Sequence, residues 1–352
     1  MERHDLFKEL TEAFGPSGYE GDVRAIMARH FSGSMSVSTD RLGSVIGFHD
    51  GDAKGPKVLL AAHMDEVGFM VKHVTKQGYI RFLPIGGWWP QVLLSQRVKV
   101  RTRKGDFEGI IGSKAPHAMK EEERKKPPEM DKLFIDLGVV GEKGAADAKV
   151  RPGDPIVPVS DFRPLANGVL AAKAWDDRVG CAVIAEMAEE PGSHPNRLYL
   201  AATVQEEVGL RGARTVAGLV EPDVAIAVDV SLSSDTPGED SDAVERFGAG
   251  AAVLVYDSTM IPNVALRDFI CEVAEKEGIK YHLTSLRGGY DTGVIHISKI
   301  GVPSIALGLP SRYIHSHVSA IYEEDYVALL NLLKAVVKRL DGKKLKGILK
   351  FA

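Results

Sequence analysis

The hydrophobic pattern divides the chain into three stretches. Residues 5–14 place Leu6, Phe7, Leu10, Ala13 and Phe14 on one helical face. Gly15-Pro16-Ser17-Gly18 then stops that helix. A second amphipathic segment follows, with Val23, Ile26, Met27 and Phe31 on its apolar side. Residues 44–48 and 58–62 read as strands. Val58-Leu59-Leu60-Ala61-Ala62 is apolar at every position, as expected of a strand covered on both faces, and it ends at His63.

The pattern changes between about residue 70 and residue 162. Short strands are expected at 79–83, 97–103, 107–111, 133–135 and 156–159, with little helical periodicity between them. Gly86-Gly87, Pro127-Pro128 and Arg151-Pro152-Gly153-Asp154 punctuate them. This middle stretch predicts a β-rich module inserted into an α/β domain. The α/β pattern resumes near residue 170. Helices are expected at 177–188, 264–276 and about 323–340, and strands at 198–204, 224–228, 281–284 and 304–307. The reading divides the chain into a discontinuous α/β domain, 1–69 and 163–352, and an inserted module, 70–162.

Composition narrows the function little. The 352 residues are 44% hydrophobic and 26% charged, with a net charge of −4, which favours neither nucleic acid nor an anionic membrane as partner. The one charge run, Lys120 to Lys126, mixes both signs and reads as a solvated loop or frayed helix. Cys181 and Cys271 do not make a disulfide scaffold, so a reducing compartment is expected. The charged N-terminus is no signal peptide and no apolar run is long enough to span a bilayer, so the expectation is a cytoplasmic protein.

Candidate chemistry gathers at the expected strand ends and the loops after them. His63 follows 58–62, Glu206 and Glu207 follow 198–204, and Asp229 follows 224–228. Open α/β sheets collect active sites along this edge. Asp176 and Asp177 open a helix, where Asp176 is either a ligand or a cap and Asp177 is a cap or a support behind the ligands. His315 lies in a loop with His317, and residue chemistry alone does not choose between them. His63 could equally line a polar pocket with Asp65, and Glu206-Glu207 could be a solvated turn. Adjacent carboxylates nonetheless repel unless a cation intervenes, and a carboxylate at Asp229 after five apolar residues needs a partner.

Taken together, His63, Asp176, Glu207, Asp229 and His315 are one ligand more than a single catalytic zinc normally takes. They suit two divalent cations sharing a carboxylate, with zinc expected and cobalt or manganese also tolerated. Glu206 is left as a base, and Asp65 is the companion candidate beside it, placed to hold the other ring nitrogen of His63.

These residues sit in His-Met-Asp-Glu-Val-Gly, Trp-Asp-Asp-Arg-Val-Gly, Gln-Glu-Glu-Val-Gly, Ala-Val-Asp-Val and Arg-Tyr-Ile-His-Ser, in that order. The set resembles the tetrahedral and glutamyl aminopeptidases, a family of dinuclear metallopeptidases, over nearly the whole chain. The resemblance implies a mixed central sheet flanked by helices, with a β-barrel-like dimerisation insert. It implies dimers that assemble into a hollow dodecamer, and peptide substrates. It also implies His63 and Asp229 on one metal, Glu207 and His315 on the other, Asp176 between them and Glu206 as general acid/base. Tyr290 and Thr292 depart from the Gly-Gly-Thr-Asp-Ala-Gly stretch common in the family, so side-chain preference does not carry over. Three rivals remain: a metal-dependent deacylase of N-acyl amino acids, a glucan hydrolase and a non-enzymatic peptide-binding protein.

Overall fold

A computed structural model describes residues 2–140, 144–238 and 243–350. At its centre four parallel strands lie in the order Arg197–Thr203, Lys57–His63, Val224–Leu232, Ser304–Arg312. Antiparallel strands extend this core on both sides into an 11-stranded mixed sheet. Alternate residues of Lys57–His63 point to opposite layers. Val58, Leu60 and Ala62 pack into one core with helices Arg3–Glu12, Gly21–Ser32, Trp175–Glu189 and Glu323–Val337. Leu59 and Ala61 pack into the other with Ala213, Val216, Ala217 and Val220 of helix Arg211–Val220. Burial on both faces is why these strands read as unbroken apolar runs.

The β-rich stretch forms a closed, six-stranded antiparallel barrel. Its order is Gly68–Val74, Ile80–Ile85, Phe134–Asp136, Gly105–Gly112, Arg97–Thr102, Pro155–Pro158. Phe69, Val71, Ile80, Phe82, Val98, Val100, Ile111, Ile135 and Ile156 fill it and form a core separate from the sheet's. The mixed sheet flanked by helices and the barrel are the architecture the resemblance implied.

Several elements differ from the sequence reading. Strand Val224–Leu232 runs three residues beyond Asp229, because Val230 to Leu232 pair with Leu309 to Ser311. Asp229 therefore lies within a strand and not after one. The last long helix stops at Val337, and Asp341 caps a separate helix, Gly342–Ile348, by accepting the Lys344 N–H at 2.7 Å. Only Glu121–Arg124 of the charge run is helical. Among the described residues no helix is long and apolar enough to cross a membrane.

Candidate metal centre

Parallel strand ends and three loops bring the candidate residues to one cavity of about 510 Å³. His63, the last residue of its strand, is 2% exposed. Its Nε2 lies 3.0 Å from Asp176 Oδ1, 3.9 Å from Asp229 Oδ2 and 4.0 Å from Glu206 Oε2. Its Nδ1 lies 3.0 Å from the Asp65 carbonyl oxygen and 3.5 Å from Asp65 Oδ1. On the opposite side, His315 Nε2 lies 3.4 Å from Asp176 Oδ2 and 3.3 Å from Glu207 Oε1. Asp176 thus turns one oxygen to each histidine.

Two groups of potential ligand atoms result. His63, Asp177 and Asp229 have ligand atoms within 4.8 Å of one another, and so do Asp176, Glu207 and His315. Asp177 is the residue whose place the sequence reading understated. Its Oδ2 accepts the His63 N–H at 3.0 Å and its Oδ1 accepts the Gly180 N–H at 2.9 Å. It caps its helix and also holds the strand end that carries His63. No local sequence signal marks that second contact, since its partner lies 114 positions away. A side chain at Gly180 would strike both the Asp177 carboxylate and the Val228 carbonyl, so glycine lets helix and strand approach.

Asp65 is fully buried and lies behind the cavity wall. Its Oδ1 accepts the Glu206 N–H at 2.9 Å, and its Oδ2 accepts the Glu207 N–H at 3.2 Å and the Ser17 hydroxyl at 2.6 Å. His317 faces away from the carboxylates. Its ring packs against Trp88, with centroids 5.7 Å apart, and burial pulls its pKa down to about 4. The backbone around the site is strained. Ala174, Gln205, Leu210, Tyr313 and His315 all have φ between +54° and +61°. Such conformations persist where surrounding contacts over-determine them.

For the protein alone, the charges do not balance. Burial raises the carboxyl pKa values of Glu206, Glu207, Asp177 and Asp229, and neighbouring carboxylates add to it. Burial would lower the pKa of both histidines, but Asp176 outweighs it with Asp65 at His63 and with Glu207 at His315. His315 reaches about 11. Glu207 Oε1 is buried and has only the His315 Nε2 nearby, at 3.3 Å. An orphaned buried oxygen among crowded carboxyls is what a cation site leaves when only its ligands are considered. The donor set of imidazole and carboxylate fits zinc or a similar divalent ion.

Residues 43–332 match the family described as M42 glutamyl aminopeptidase. The chain belongs to that family. It is a metal-dependent aminopeptidase, a hydrolase acting at peptide N-termini, and the match favours none of the rival readings. The chain is 34% identical to the glutamyl aminopeptidase of Lactococcus lactis subsp. cremoris, covering 99% of each chain. The TET aminopeptidase from the marine sediment archaeon Thaumarchaeota archaeon SCGC AB-539-E09 is 44% identical, with a TM-score of 0.95 over 99% of each chain. The TET1 peptidase of Pyrococcus horikoshii, which can assemble into a tetrahedron or a large octahedral shell, is 29% identical. It has a TM-score of 0.87 over 96% of this chain and all of its own.

Proposed function

We propose that this aminopeptidase works through two divalent cations. His63 and Asp229 would hold one, Glu207 and His315 would hold the other, and Asp176, with one oxygen toward each histidine, would serve both. The observation that carries this reading is the pair of contacts from the two Asp176 oxygens, 3.0 Å to His63 and 3.4 Å to His315. Carboxyls this close cannot all ionise in a buried wall without added positive charge. Bound there, the cations lower the pKa of water and stabilise negative charge developing on the scissile carbonyl oxygen. Zinc is the expected ion, with cobalt or manganese also suited to these donors.

The acid/base role falls to Glu206. It lines the cavity beside both groups yet belongs to neither. Burial raises its pKa, and Asp229, Asp291 and Glu207 add to the rise against the opposing effect of His63, the direction that suits a carboxyl exchanging a proton with water. It takes a proton from the attacking water and returns it to the leaving amine. Leu210, Leu232, Leu286, Tyr290 and Ile314 form the apolar wall facing these groups, where the first side chain of a peptide fits.

The barrel is proposed as the dimerisation module, and the dimers as the units of a dodecamer. The assemblies of the Pyrococcus horikoshii relative support this. A cytoplasmic location belongs to the same proposal, in keeping with the free cysteines Cys181 and Cys271.

The reading is tested with free and N-acetylated aminoacyl-anilides, before and after chelation and with zinc or cobalt restored. Metal-restored cleavage of free-amine substrates alone is expected. Cleavage of blocked substrates would point to a deacylase instead.

A further inference from the structure

The Glu206–Glu207 turn is held from behind by a segment far from it in sequence. Three successive backbone N–H groups of this turn end on buried carboxylates. Gln205 N–H donates to Glu20 Oε1 at 3.1 Å, Glu206 N–H to Asp65 Oδ1 at 2.9 Å, and Glu207 N–H to Asp65 Oδ2 at 3.2 Å. Ser17 donates its hydroxyl to the same Asp65 Oδ2 at 2.6 Å. Glu20 Oε1 also accepts the Gly18 N–H at 2.8 Å, which folds residues 17–20 into a tight loop. Ser17 is 7% exposed and Glu20 is 1% exposed, so neither is paired with bulk water.

The loop is itself anchored. The buried Arg178 guanidinium donates to the carbonyls of Leu10, Ala13 and Gly15, at 2.5 Å, 3.3 Å and 3.3 Å. Lys173 Nζ donates to the Ala13 carbonyl at 3.1 Å and to both Glu66 oxygens, at 2.6 Å and 2.7 Å. Glu66 N–H in turn donates to the Gly15 carbonyl at 3.0 Å. The chain entering the loop is therefore pinned at Leu10, Ala13 and Gly15, and the turn the loop holds is strained, with Gln205 at φ 58°. A strained turn keeps its shape only while its contacts over-determine it.

We propose that Ser17 and Glu20 are positioning residues for Glu206 and Glu207, acting through Asp65 and through the Gln205 amide. The inference rests on Glu206 being the acid/base. Without the Ser17 hydroxyl, Asp65 Oδ2 loses its shortest hydrogen bond, and the carboxylate is left to the two amides it should fix and to His63 Nδ1 at 3.5 Å. Without the Glu20 carboxylate, Gln205 loses the bond that fixes its left-handed conformation. Either change displaces Glu206 and Glu207 without touching substrate, and supports of this kind matter about 10–100-fold in metal affinity or activity.

The test compares Ser17→Ala, Ser17→Thr, Glu20→Ala and Glu20→Gln with the unaltered enzyme and with Glu206→Gln, all at saturating zinc. Kinetics are read as kcat and KM, zinc affinity by chelator competition, and folding by thermal melting. Both alanine variants are expected to lose about 10-fold or more in kcat, with weaker zinc binding and KM within about twofold. Ser17→Thr keeps the hydroxyl and Glu20→Gln keeps the accepting oxygen, so both are expected to recover most of the loss. If Glu20→Ala does not fold, Ser17→Ala and Glu20→Gln carry the comparison. The proposal is overturned if folded alanine variants keep kcat within about twofold, or if the conservative variants lose as much as the alanines. Full activity in Glu206→Gln would instead overturn the acid/base assignment on which the proposal rests.

Discussion

The two sides of the centre are built differently. On one side, His63 ends a buried strand, Asp229 lies inside another, and the His63 side chain is 2% exposed. On the other side, Glu207 and His315 come from loops, His315 has φ 54°, and its side chain is 35% exposed. Sites on regular elements are held more tightly than sites on loops. The strand-built side should therefore bind its cation more firmly, and the loop-built side should be the one that loads, empties and adapts.

The largest expected effect belongs to the group between the two sides. Glu206→Gln should keep both cations but lower kcat by about 10²–10⁴, checked by single-turnover kinetics and metal analysis. Near-normal turnover would remove Glu206 from its role.

Next come the histidines. His63→Ala should lose cations from both sides and lower the melting temperature, since removing a buried imidazole that faces three carboxyls leaves Asp176, Glu206 and Asp229 without it. His315→Ala should keep about one equivalent, on the strand-built side, and lose most activity. Metal content after gel filtration compares them. Equal loss in the two variants would erase the distinction between the sides.

A smaller effect separates the sides in pH. The His315 pKa is pushed up to about 11 in the protein alone, by Asp176 and Glu207 against the opposing effect of burial. At pH 8 that ring carries a proton and must shed it to bind a cation. Cation uptake on the loop-built side should therefore release protons, and affinity should fall as pH falls. Calorimetry in buffers of different ionisation enthalpy measures the release, and zero release would contradict the pairing of His315 with two carboxylates.

The smallest effect concerns the wall beside Asp229. The Tyr290 hydroxyl donates to the Val230 carbonyl at 3.0 Å. Tyr290→Phe should cost about 1 kcal/mol in stability, read by denaturant unfolding, with little change in metal content.

Legibility in the sequence followed burial and locality. Val58 to Ala62 announced both a doubly covered strand and His63 at its end, because every position meets a core. Edge strand Ser36–Thr39 is exposed throughout and left no pattern to read. Helix Arg211–Val220 escaped notice although Ala213, Val216, Ala217 and Val220 form a well-marked apolar face at helical spacing. Asp229 looked like a strand terminus because its carboxylate breaks an apolar run, while the pairing that extends the strand comes from Ser304–Arg312.

The candidate site was legible as a set of residue types, and its grouping came from the resemblance. Nothing local told His315 from His317; the fold separates them by turning one toward Asp176 and the other onto Trp88. Asp177, Ser17 and Glu20 were the least visible. Their partners are backbone amides more than 100 positions away or, for Ser17, a carboxylate 48 positions away. Such contacts leave no periodicity in either segment.

A metal titration of the chelator-stripped enzyme distinguishes a two-cation aminopeptidase centre from a one-cation centre. Turnover of a free-amine aminoacyl-anilide is followed as zinc or cobalt is added. A two-cation centre gives no activity without metal and full recovery only at about two equivalents per subunit. Full activity at one equivalent, or turnover in the stripped enzyme, would contradict it.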